Sequence, residues 1–189
     1  MVAPPIYTYF RQLSASLDSV RGDAVAAATA LLLTTYKRGG TIFVIGNGQS
    51  ATTATAFALD LTKQSVTAPD QRRVRIVSLT DNIAALTAWA NDVGYEVVFT
   101  EQLKSLWRAG DMLLAISVSG SSPSIVHASR WVREQRGMVA ALTGIDGGMM
   151  QTEADVCMVV PSRDYGIVET AHVAILHYWV DVFRSSLTR

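Results

Sequence analysis

Two stretches of the chain carry residues suited to holding an anion. The first is Ile45-Gly46-Asn47-Gly48-Gln49-Ser50. Its glycines let the backbone turn tightly, and a helix starting behind them aims free N–H groups at a negative charge. No Gly-Lys-Ser/Thr follows, so it is not a P-loop, and GNGQSA lacks the third glycine of the dinucleotide fingerprint. The second stretch runs from Ser117 to Pro123 and offers the hydroxyls of Ser117, Ser119, Ser121 and Ser122 with Gly120 among them. Hydroxyls and backbone amides together hold a phosphate without a lysine. Either stretch alone also reads as an ordinary strand-to-helix turn with serine caps. Two of them in one chain favour a phosphate site.

These loops need elements that place them at strand ends. Short apolar runs occur at 41–46, 74–79, 112–118, 138–144 and 156–161, each bounded by Gly, Ser, Asp or Pro. Each is apolar on both faces, the pattern of a strand buried between helix layers. Helical segments are expected between them, at 50–63, 82–92, 95–107, 122–135 and 147–153, with a last one at 167–186. Alternation of this kind predicts an α/β fold with a doubly wound parallel sheet, in which ligands bind beyond the carboxyl ends of the strands. Residues 1–40 read as two helices: Tyr7, Phe10, Leu13, Leu17 and Val20 recur at helical spacing after Pro4 and Pro5. Asp23 is placed to cap the second, which ends near Lys37-Arg38-Gly39-Gly40. No linker is visible, so residues 1–189 read as one domain, a 41–189 core with an N-terminal helical extension.

Composition narrows the partners. Lys plus Arg is 16 and Asp plus Glu is 16, so the net charge is zero. That argues against nonspecific binding to nucleic acid or to an anionic membrane. Charged residues are 17% of the chain, against about 25% in an average soluble domain. So little charge predicts apolar surface buried against further copies of the chain. The single cysteine, Cys157, excludes an internal disulfide and reads as a small core residue. The N-terminus lacks signal-peptide character and no apolar run approaches the roughly 20 residues that span a bilayer, so a cytoplasmic location is expected. Trp89, Trp107, Trp131 and Trp179 fall at helical positions among apolar neighbours and read as packing residues.

Five motifs then resemble, in order, the sugar isomerase (SIS) fold and within it the phosphoheptose isomerases. GNGQSATTATAFALDL (46–61) is similar to the family's GNGGSAxDAxHFAxEL, and LTAWANDVGYEVVF (86–99) to its LTAxANDxGYExVF. GDMLLAISVSGSSPSIV (110–126) resembles GDVLLxISTSGNSxNVV, ALTGIDGGMM (141–150) resembles ALTGxxGGxM, and ETAHVAILHYWVD (169–181) resembles QEAHLxILHxLCE. The resemblance implies a five-stranded parallel sheet between helix layers and a homotetramer with active sites between subunits. It implies interconversion of sedoheptulose 7-phosphate and a glycero-manno-heptose 7-phosphate through an enediol, with zinc in many members. Phosphate binding then maps to Ser50, Ser117, Ser119 and Ser122, and sugar binding to Asn47 and to Asp92 of the Asn91-Asp92 pair. Gly48 and Ser121 complete the candidate substrate loops.

The same resemblance makes Asp60 and His177 the acid–base pair and Asp60, Glu169 and His177 the ligands of zinc or another divalent metal. The family's first histidine is Ala56 here, its catalytic Glu is Asp60, its Gln is Glu169, and a loop threonine is Val118. Ala56 and Asp60 are four residues apart on one helix face. Losing an imidazole weakens the preference for zinc over a harder metal. Asp in place of Glu draws the carboxylate back by roughly 1.5 Å, one carbon–carbon bond. These departures keep a second reading open, a non-catalytic phosphosugar-binding or protein-binding regulator. His172 reads as a local packing or hydrogen-bonding residue and His127 as a surface one.

Overall fold

A computed structural model gives the arrangement of residues 5–66 and 68–187. Pro4 lies outside these residues; Pro5 immediately precedes the first helix, α1 (Ile6–Asp18). α2 (Gly22–Arg38) follows, and here Asp23 differs from expectation. It sits inside the first turn, where Oδ1 accepts the Ala24 N–H at 2.9 Å, and Arg21 occupies the cap position.

The core alternates as the apolar runs predict. Its strands are β1 (Thr41–Gly46), β2 (Arg75–Ser78), β3 (Met112–Ser117), β4 (Met138–Gly144) and β5 (Val156–Val160). Between them lie α3 (Gln49–Gln64), α4 (Ile83–Asp92), α5 (Thr100–Leu106), α6 (Pro123–Glu134) and the short α7 (Met150–Glu153); α8 (Tyr165–Leu187) closes the chain. The expected helix 95–107 is broken into a 3-10 turn at Tyr95–Val97 and α5. The sheet order is β2-β1-β3-β4-β5, every pair parallel.

Side-chain alternation divides the sheet between two helix layers. Ile42, Val44, Leu114 and Ile116 pack with Leu32, Phe57, Leu61, Leu176 and Trp179 of α2, α3 and α8. Phe43, Ile45, Leu113 and Ala115 face the other way, onto Phe99, Leu103, Ile125 and Val132. β1 and β3 are buried at every position. β2 is not, and this corrects the reading of five doubly buried strands. Arg75 and Val77 are exposed because β2 is a four-residue edge strand with only β1 beside it. Trp179 is fully buried and donates to the Thr29 hydroxyl at 2.9 Å; Trp107 and Trp131 meet edge to face, while Trp89 is partly exposed.

α1 lies on α8 through Leu13 and Leu17, joined by Val20 just beyond its end, and leaves Ile6, Tyr7 and Phe10 exposed. The sheet order reverses between β1 and β3. Chain connections leave in opposite directions there, which opens a crevice at the carboxyl ends of these two strands. Both anion loops emerge at that point.

Candidate active site

The first loop turns from β1 into α3 through Gly48, whose φ of 57° and ψ of −124° suit glycine far better than a residue with a side chain. Gly48 itself is exposed and Ser50 is buried in the first turn of α3. Asn47 is fixed at both ends of its amide: Nδ2 donates to the Ser124 hydroxyl at 3.0 Å, and Oδ1 accepts the Tyr95 hydroxyl at 2.9 Å.

The second loop is laced to the turn after β4. Gly120 has φ +61°, and a Cβ placed there would stand 2.0 Å from the Gly147 carbonyl oxygen. The Gly120 carbonyl accepts the Met150 N–H at 2.9 Å, and the Val118 carbonyl accepts the Gly144 N–H at 2.9 Å. The glycines of ALTGIDGGMM therefore exist to let two turns touch. Ser121 belongs to this clamp, its Oγ accepting the Met149 N–H at 3.1 Å, and it does not line the pocket formed by its neighbours.

Asn47, Ser50, Ser117, Val118, Ser119 and Ser122 line one polar pocket of about 120 Å³, with Tyr165 and Glu169 of α8 on its opposite wall. The Ser117 and Ser122 hydroxyls face each other 3.5 Å apart. No lysine or arginine lines it, so an anion here meets hydroxyls and backbone amides on one side and the Glu169 carboxylate on the other. Asp92 stands elsewhere, at the exposed end of α4, where Oδ1 accepts the Asn91 amide at 2.8 Å.

A second cleft opens further along the same two helices. Asp60 and His177 meet there, Oδ2 to Nδ1 at 3.8 Å, with the carboxylate about one-quarter exposed and the imidazole 57% exposed. Gln64, one turn beyond Asp60, donates its amide to Oδ1 at 2.7 Å. Thr53, Ala56, Phe57, Val173, Leu176 and Val180 complete the walls around a volume of about 30 Å³.

The structure brings Asp60 and His177 together and leaves Glu169 apart, in the serine pocket. Among the described residues no three His, Cys, Asp or Glu side chains gather closely enough to hold a metal. Catalytic zinc takes three protein ligands plus water. With a methyl group at Ala56 and Glu169 two helical turns away, one chain supplies two donors. The expected metal set is therefore not assembled within the chain.

His172 is buried, with Nε2 3.0 Å from the Thr143 carbonyl oxygen, and His127 is exposed, both as expected. Cys157 is half-buried on β5, and burial pushes its thiol pKa up. Tyr95, Ser124 and Tyr165 escaped the sequence reading. Tyr95 sits inside the quoted ANDVGYEVVF stretch and Ser124 directly follows the serine loop; only the fold brings Tyr165 there.

A doubly wound sheet with a serine-lined pocket at its switch point, and a carboxylate–imidazole pair nearby, is the arrangement expected of a phosphosugar isomerase. Known proteins agree. A family model described as SIS domain matches residues 8–144. The chain is 38% identical over 160 residues to the phosphoheptose isomerase of Mycobacterium tuberculosis (strain ATCC 25177 / H37Ra), covering 85% of this chain and 81% of that one. It is 33% identical over 162 residues to the phosphoheptose isomerase of Helicobacter hepaticus, covering 86% and 82%. The solved structure of phosphoheptose isomerase GmhA from Neisseria gonorrhoeae matches with a TM-score of 0.87 at 31% identity, covering 95% of this chain and 97% of that one. The chain belongs to the phosphoheptose isomerase family of SIS-domain enzymes.

Proposed function

We propose that the chain interconverts sedoheptulose 7-phosphate and a glycero-manno-heptose 7-phosphate. One spacing carries this reading. Ser50 and Glu169 line the same pocket; ten residues on along α3 and eight along α8, Asp60 meets His177. The two helices therefore run parallel, and at 1.5 Å per residue the serine pocket and the pair are separated by about 15 Å and about 12 Å along them. In a heptulose 7-phosphate, seven bonds separate phosphorus from the carbonyl carbon. With bonds near 1.5 Å the extended chain spans roughly 9 Å. The remaining few ångströms match the reach of the side chains at each end.

The serine pocket then holds the phosphate and the pair faces the reacting carbons. One member takes the proton from the carbon beside the carbonyl while the other delivers a proton to the carbonyl oxygen, which gives the enediol. The reverse transfer at the neighbouring carbon and oxygen gives the aldose. No electrons leave the substrate, and no proton is lost over the cycle.

The surface of α3 and α8 between the two pockets exposes Ala56 and Val173. A homotetramer that covers it is part of the proposal. It is supported by the exposed Ile6, Tyr7 and Phe10 of α1 and the exposed Val173 and Tyr178 of α8. No helix among the described residues is long and apolar enough to cross a membrane.

The test is incubation of the pure protein with sedoheptulose 7-phosphate, with and without zinc, beside light scattering for the oligomer. Aldose product from a tetramer is expected. No product from a folded tetramer overturns the reading. Ala56 favours one alternative, a sensor that binds the sugar phosphate without turnover, and calorimetry on the same sample separates the two.

A further inference from the structure

Asp60 and His177 stand where the family places a metal, yet the walls around them do not suit one. The position one turn before Asp60 is Ala56, and the remaining wall residues are Thr53, Phe57, Val173, Leu176 and Val180. Among these only Thr53 is polar, and its hydroxyl donates to the Gln49 carbonyl at 3.1 Å. Glu169, the remaining candidate ligand, is about 12 Å away along α8 by helical rise.

Another group does engage the pair. Gln64 lies one turn beyond Asp60 on α3, and its Nε2 donates to Asp60 Oδ1 at 2.7 Å. That contact leaves Oδ2, the oxygen facing His177. A carboxylate rotates freely about its last bond unless something fixes it. Here the Gln64 amide N–H, one turn beyond Asp60 where Ala56 is one turn before it, supplies that constraint.

We infer that this chain performs its proton transfer without a bound metal, and that Gln64 is the positioning residue that orients the Asp60 carboxylate toward His177. The inference rests on Asp60 and His177 being the proton-transfer pair. Gln64 touches neither the serine pocket nor the reacting carbons in that arrangement; it acts through Asp60.

Two measurements on tag-free protein test it. The first is metal content after incubation with equimolar zinc and gel filtration, for the wild type and for Ala56→His. The wild type should retain less than about 0.1 zinc per chain, and the variant, with a third ligand restored, close to one. Wild-type protein holding about one zinc per chain, whose isomerisation is lost to a chelator and regained with zinc, overturns the inference. The second is steady-state kinetics of Gln64→Ala and Gln64→Glu. Loss of orientation should lower kcat roughly 10-fold for Gln64→Ala with KM unchanged, and further for Gln64→Glu, which keeps the size but replaces the donor with a repelling oxygen. Unchanged kcat in both variants overturns the positioning role. Metal content is read without turnover. If Asp60→Asn leaves isomerisation intact, the proposed function fails at its acid–base pair; if Asp60→Asn abolishes it and the wild type holds zinc, only the present inference fails.

Discussion

Asp60 Oδ2 and His177 Nδ1 lie 3.8 Å apart across the contact between α3 and α8, joining one carboxylate and one imidazole from segments more than a hundred residues apart in sequence. Such a pair transfers protons in both directions only if both members are present. Asp60→Asn and His177→Gln should each lower kcat about 100-fold or more while KM stays within about twofold. The double variant should be scarcely worse than either single one, because the two act as a unit. Steady-state rates with the phosphorylated heptulose check this.

The serine pocket should affect binding and not the chemical step. Ser117 is buried, and its hydroxyl faces that of Ser122 across the pocket. Ser117→Ala removes one hydrogen bond to a dianion, so KM should rise roughly 10-fold with little change in kcat. An equal fall of kcat with unchanged KM would place Ser117 in the wrong role.

Gly120 should be irreplaceable for stability. Its backbone is left-handed, and any Cβ would meet the Gly147 carbonyl oxygen. Gly120→Ala should cost about 2 kcal/mol or more, read as a lowered urea midpoint at unchanged slope. Gly22, where a Cβ meets nothing within 4 Å, is the control and should tolerate alanine.

His172 should make the protein acid-sensitive. Its ring is buried; Nε2–H donates to the Thr143 carbonyl, and Nδ1 has no partner among the described residues. Burial pushes its pKa down to about 4, against a smaller opposing pull from that carbonyl. An unfolded histidine titrates near 6.5. Between these values the unfolded chain binds a proton that the folded chain refuses. This share of stability is complete above pH 6.5 and is lost as pH falls toward 4, up to about 3 kcal/mol. His172→Gln keeps a donor for Thr143 and cannot charge. Its urea midpoint should fall less than that of the wild type between pH 7.5 and pH 4.5; equal falls would contradict the assignment.

Much of this was legible in the residues. The strand runs fell where β1, β3 and β4 lie because burial on both faces makes them continuously apolar; the β5 run is apolar as well, although as an edge strand it is only partly buried. Both anion loops were visible because tight turns demand glycine and phosphate without lysine demands hydroxyls. What spacing does not encode is direction. Ser121 sits in the serine run, yet its hydroxyl turns to the Met149 amide because Gly120 and Gly147 bring the two loops into contact. Glu169 and His177 share a helix and face different pockets, because eight residues is about 12 Å along the axis. The Tyr95–Asn47 bond joins two quoted motifs that only the fold places side by side.

Proton transfer on a phosphorylated seven-carbon sugar can be followed by proton NMR of sedoheptulose 7-phosphate with catalytic amounts of the pure protein in heavy water. An aldose signal should grow, with deuterium on the carbon that was the ketose carbonyl, and both should be abolished by Asp60→Asn. A folded protein that binds the sugar phosphate yet yields neither aldose nor deuterium incorporation would contradict the proposed function.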